Sequence, residues 1–171
     1  DVTLEGLTIT GGVASGGFIN SLGGGIFNQE NLTLTNSTVS GNSANDDSGG
    51  IDNRFGSTAT LTNSTVSGNS ANNNIGGIGN GGTVTLTNST VTGNSANDNS
   101  GGIGNGGAVT LTNSTVTGNS ADGRAGGIRN YSGTVTLTNS TVTGNSANGS
   151  AGGIDNNSGA ITTLTNSTVS G

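Results

Sequence analysis

The chain has 171 residues, 35 of them Gly, with 2% aromatic and 7% charged residues and neither Pro nor Cys. A net charge of −6 with three Arg and no Lys excludes a surface that neutralises a row of nucleic-acid phosphates and disfavours anionic membranes. No apolar run approaches the roughly 20 residues that span a bilayer, and without His or Cys there is neither a disulfide framework nor the usual zinc ligand set.

Low hydrophobicity with abundant Gly would suit disorder, but disorder of that kind usually brings high charge or Pro. Here Thr, Ser and Asn recur at fixed spacing instead. The chain opens at Asp1 without Met or a signal peptide, as expected of a mature product or an excised piece. Residues 1–24 read as a diverged first coil, because Leu4-Glu5-Gly6-Leu7-Thr8-Ile9-Thr10-Gly11 aligns with residues 34–41. Residues 25–171 are regular coils of the same single domain.

The string LTNSTV begins at Leu34, Leu61, Leu86, Leu111, Leu137 and Leu164, in steps of 27, 25, 25, 26 and 27 residues. After it come G-N-S-A, a polar stretch and G-G-I-x-N, with the isoleucines at Ile26, Ile51, Ile78, Ile103, Ile128 and Ile154. A period of this length predicts a solenoid. Val84 and Leu86 alternate with Thr83, Thr85 and Thr87, the period of a strand with one buried face. Asn88-Ser89 bends the chain, Val91 points inward, Gly93-Asn94 turns again, Ala96 is buried, and Ile103 begins a third strand.

The expected fold is therefore all-β: a single-stranded, right-handed parallel β-helix of about 6–7 coils of 25–27 residues, with three strands per coil. One coil cannot bury its own apolar face, whereas coils stacked at about 4.8 Å place like side chains above one another. Val39, Val66, Val91, Val116, Val142 and Val169 should form one internal ladder, with the Leu and Ile series forming two more. Repeated Gly should supply tight corners and positive φ.

Asn recurs in three columns. The first, Asn36, Asn63, Asn88, Asn113, Asn139 and Asn166, is assigned the structural amide ladder. The others are Asn42, Asn69, Asn94, Asn119 and Asn145, and Asn28, Asn53, Asn80, Asn105, Asn130 and Asn156. If these amides stack internally, the six Asn-Ser-Thr glycosylation sequons are blocked.

The V-S-G-N-S-A and G-G-I repeats resemble the F-x-x-N and G-G-A-[ILV] repeats of polymorphic outer membrane proteins, with Val where that family prefers Phe. The resemblance covers nearly the whole chain. It implies a right-handed β-helix, secretion, surface display and an adhesive or stalk-like role, and no catalytic residues.

Catalysis on a polysaccharide would need carboxylates facing one groove. The acids are Asp1, Glu5, Glu30, Asp46, Asp47, Asp52, Asp98, Asp122 and Asp155; most fall in variable turns of different coils, without aromatic platforms for a sugar. Asp52 and Asp155 share a position but lie four coils apart. No catalytic residue and no cofactor is expected. Asn45-Asp46-Asp47-Ser48 and Asp98-Asn99-Ser100 offer oxygen ligands for calcium, but Asn72-Asn73-Asn74 interrupts any acidic ladder, so solvated turns are expected there. The Gly-rich G-G-I-G-N-G-G stretches precede no helix and so do not form phosphate cradles.

The candidate surface is an array of outward Thr pairs: Thr33-Thr35, Thr60-Thr62, Thr85-Thr87, Thr110-Thr112, Thr136-Thr138 and Thr163-Thr165. Stacked, they form a grid of about 4.8 Å by about 7 Å, similar to the arrays of β-solenoid ice-binding proteins. Thr also simply favours exposed strand positions. No capping element is visible at either end, so expected partners are a second copy stacked end to end or further coils of a longer chain, with a cell-surface or carbohydrate ligand as the alternative. The expected function is a non-enzymatic extracellular structural or adhesive rod.

Overall fold

A computed structural model describes residues 1–16 and 22–170. Every described strand belongs to one of four parallel sheets, of seven, seven, six and six strands, each built from equivalent positions of successive coils. The chain is thus a parallel β-solenoid of about six turns. In one coil the strands are Thr83–Thr87, Thr90–Thr92, Ser95–Ala96 and Ile103–Asn105. The short Ser-Ala strand makes four per coil rather than the expected three, because a run of two residues carries no readable alternation.

The register is unbroken. Leu34, Leu61, Leu86, Leu111 and Leu137 pair in one line, Val39 to Val142 in a second and Ile51 to Ile128 in a third. All of these side chains are fully buried. Ala44, Ala71, Ala96 and Ala121 line the fourth wall, where only a methyl fits.

Two kinds of corner need unusual backbone, and they use different residues. Asn36, Asn63, Asn88, Asn113, Asn139 and Asn166 all sit at φ of 49–51°, the left-handed region that Asn tolerates better than other side chains. Gly41, Gly68, Gly93, Gly118 and Gly144 occupy φ of 60–63° at the next corner.

The glycines of G-G-I depart from expectation, since they do not have positive φ. A Cβ on Gly76 would lie 2.5 Å from both the N and the O of Ser95 in the next coil. They are needed for close backbone approach across a pinched interior.

From Ile26 onward, all of the variation in coil length falls in the turn after Asn of Ile-x-Asn. That turn is Gly81-Gly82 or Gly106-Gly107 in the shortest coils and Arg54-Phe55-Gly56-Ser57 in a long one. In the long turn the Ser57 N–H donates to the Arg54 carbonyl at 3.1 Å and Gly56 has φ 81°. This is the type II arrangement, with Gly at its third position.

Candidate functional site

The outward Thr pairs of successive coils lie in strand register. Thr33, Thr60, Thr85, Thr110, Thr136 and Thr163 pair in one column, and Thr35, Thr62, Thr87, Thr112, Thr138 and Thr165 in the next. Their alternation with buried Leu turns the hydroxyls outward. A third outward column, Asn31, Thr58, Thr83, Ala108, Thr134 and Ile161, widens the face but is not uniformly Thr.

The asparagine columns divide differently from the expectation. The Asn36 column, assigned the structural ladder, is exposed throughout, because the left-handed corner turns its side chains away from the core. Asn63 donates to Asn36 there at 3.3 Å. The internal ladders are the other two columns. Asn42, Asn69, Asn94, Asn119 and Asn145 each donate to or accept from the neighbouring amide at 2.9–3.0 Å. Asn28 through Asn156 form a second chain at 2.6–3.0 Å. The sequon amides are therefore not blocked by burial.

A serine ladder went unread in the sequence. Ser37, Ser64, Ser89, Ser114 and Ser140 are buried; the hydroxyls of the last four each accept from the backbone N–H of the serine in the preceding coil, as in Ser64 N–H to Ser89 Oγ at 3.1 Å, and Ser37 Oγ accepts from the Leu7 N–H at 3.3 Å. A small residue in a motif otherwise full of Ser and Thr gives no periodic signal.

The acidic turns are held by amides. Asp46 Oδ1 accepts from Asn73 at 2.7 Å and Asp47 Oδ1 from Asn74 at 3.0 Å, while Asn74 Oδ1 accepts from Asn99 at 2.5 Å. Among the described residues no three His, Cys, Asp or Glu side chains gather to hold a metal ion.

Asp52 and Asp155 do lie four coils apart in one column. Asp52, however, is not isolated: Arg54 Nη1 donates to its Oδ2 at 3.3 Å and to Asp47 Oδ2 at 3.2 Å. Burial pushes the Asp52 carboxyl up from 3.8 to about 6, more than the nearby Arg54 charge pulls it down, and Asp47 adds to the rise. The folded state therefore holds this proton more tightly than the unfolded chain does. The associated stability is complete below about pH 3.8 and is lost as pH rises through about 6. Asp52→Asn should raise stability at pH 8 by on the order of 2–3 kcal/mol and leave it nearly unchanged at pH 3. Urea melts at the two pH values check this, and equal shifts at both would refute it.

Comparison with family models, with curated proteins and with solved structures finds no match to this chain.

Proposed function

We propose that the chain is a non-enzymatic rod on the outside of a bacterial-type cell, serving as a stalk or filament segment. The observation carrying this reading is the unbroken register of like residues through every coil, which makes the long axis a continuous line of backbone and amide hydrogen bonds. Such a structure resists bending and extends without redesign. Secretion and surface display rest on the resemblance to polymorphic outer membrane proteins.

Negative-stain electron microscopy over a range of concentrations tests the rod. Uniform fibres would make filament building the role, and short isolated rods would make it a stalk segment. Specific turnover of a polysaccharide would sink the non-enzymatic reading.

The registered Thr columns support a second reading, ice binding. Lattice matching requires two flat, regularly spaced hydroxyl rows, and Thr85, Thr87, Thr110 and Thr112 occupy the centre of such rows. Thr85→Lys with Thr110→Lys should abolish ice-crystal shaping while the circular dichroism melt is retained, because both side chains point outward. Unchanged ice shaping would discard this face.

A further inference from the structure

The outward position of each Ile-x-Asn strand forms a column of Phe27, Asp52, Gly79, Gly104, Arg129 and Asp155. Large side chains fill it at both ends, and the two central coils carry only hydrogen. These coils also have two-residue following turns made only of glycine, Gly81-Gly82 and Gly106-Gly107, flanked by turns that carry Phe55 and Tyr131. The result is a notch of ≈190 Å³. An adjoining hollow of ≈250 Å³ shares Asp52, Arg54 and Gly81 and reaches Phe55.

We propose that this notch binds a single neutral sugar unit, at the point where Gly79 and Gly104 open the column between Asp52–Arg54 on one side and Tyr131 on the other. Four observations converge on it. The Ser48 hydroxyl lines the notch, is fully buried and has no hydrogen-bond partner; a Cβ on Gly79 would collide with it. It is thus a polar group of the notch floor with no partner inside the protein, and such groups are uncommon.

On one wall, the Asp52 carboxylate and the Arg54 guanidinium, joined by one bond from Nη1 to Oδ2 at 3.3 Å, offer an acceptor and donors to hydroxyls. On the other, the Tyr131 hydroxyl reaches over Gly104, where a Cβ would meet it at 2.8 Å and Ile75 Cδ1 at 2.6 Å. Finally, Tyr131 borders the notch and Phe55 the adjoining hollow, with Arg54 5.9 Å above the Phe27 ring and Arg129 4.5 Å above the Tyr131 ring. Aromatic faces beside polar tips suit a ring whose faces are C–H and whose rim is hydroxyl.

Charge selects among sugars. Arg54 is engaged by Asp47 and Asp52, and the Arg129 Nε lies 3.7 Å from Asp155 Oδ2. The two arginines beside the notch thus already face carboxylates, which disfavours uronic acids and sulfated sugars there. This site stands independently of the rod proposal.

The chain's single Tyr and lack of Trp make intrinsic fluorescence a reporter of this notch alone. The experiment titrates the purified chain with methyl glycosides of glucose, galactose, mannose and N-acetylglucosamine, and with methyl glucuronide. Saturation-transfer NMR is run in parallel. At least one neutral glycoside should change Tyr131 fluorescence at millimolar concentration, and the glucuronide should not.

Gly104→Val fills the notch against movable side-chain ends and should weaken binding at least tenfold. Tyr131→Phe, which disturbs the fold least, should weaken it several-fold by NMR. Silence from all four neutral glycosides overturns the proposal. So does undiminished binding in either folded variant, or equal response to the glucuronide.

Discussion

Asn94→Ala should lower the free energy of unfolding by about 3–5 kcal/mol, a loss near the top of the range for single substitutions. The Asn94 amide oxygen accepts from the Asn69 backbone N–H and from Asn69 Nδ2, both at 3.0 Å, and its own Nδ2 donates to Val66 O at 3.1 Å and Asn119 Oδ1 at 2.9 Å. Truncation takes the side-chain acceptor from the Asn69 backbone N–H and from one Nδ2 hydrogen of Asn69, and removes a donor from Val66 O and Asn119 Oδ1, in a place water does not reach; Asn69 Nδ2 keeps Val39 O and Asn119 Oδ1 keeps the Asn94 backbone N–H. Buried donors left unsatisfied cost about 1–3 kcal/mol each.

The site lies mid-stack, so both coil interfaces that flank it weaken, and solenoid stability is carried by nearest-neighbour interfaces. Asn88→Gly is the contrasting change, six residues earlier in the same coil. Its side chain is exposed and its φ of 51° suits Gly, so stability should move by less than about 1 kcal/mol. Urea midpoints of the two variants check the difference; equal losses would mean the buried amide ladder is not a principal support of the stack.

The second large effect is expected at Gly76. Adding one methyl there should cost about 3–5 kcal/mol, because the Cβ would sit 2.5 Å from Ser95 N and O and 2.6 Å from Gly101 O. These are backbone atoms held in the sheet ladder, and they cannot rotate aside as a side chain would. Overpacking of a rigid interior ordinarily costs about 1–3 kcal/mol, and here the whole coil spacing must give.

Gly93→Ala, the same chemical change, should cost only about 1–2 kcal/mol, the strain of a left-handed backbone at an L-residue. Its φ is 62° and the nearest atom to an added Cβ is Gly68 N at 4.0 Å. Circular dichroism melts at matched concentration separate the two. Equal destabilisation would show that G-G-I glycines serve turn geometry after all.

The proposals about surfaces differ in how far the chain reveals them. Every outward Thr of the array could be named from alternation alone. The sugar notch could not be read that way, although its signals are present: Gly79 and Gly104 replace Asp52 and Arg129 at the same position, and the all-glycine turns fall in the same two coils. What hid it was distance along the chain. Asp52 and Tyr131 are 79 residues apart, and residues so separated become neighbours only once coils are stacked in a definite register.

By itself the sequence determined the solenoid, the coil length, the Leu, Val and Ile ladders and the outward Thr faces. Those features follow from the alternation period of a strand and from a repeat that cannot bury its apolar face alone. The tertiary structure decided what composition leaves degenerate. Three Asn columns look alike in the chain, yet a φ near 50° turns the Asn36 column outward while the Asn42 and Asn28 columns face inward and bond along the axis. Two sets of Gly look alike, yet Gly93 sits at a left-handed corner and Gly76 lies against the backbone of the next coil. In each case the residue type is compatible with either role, and only the packing of one coil on another selects between them.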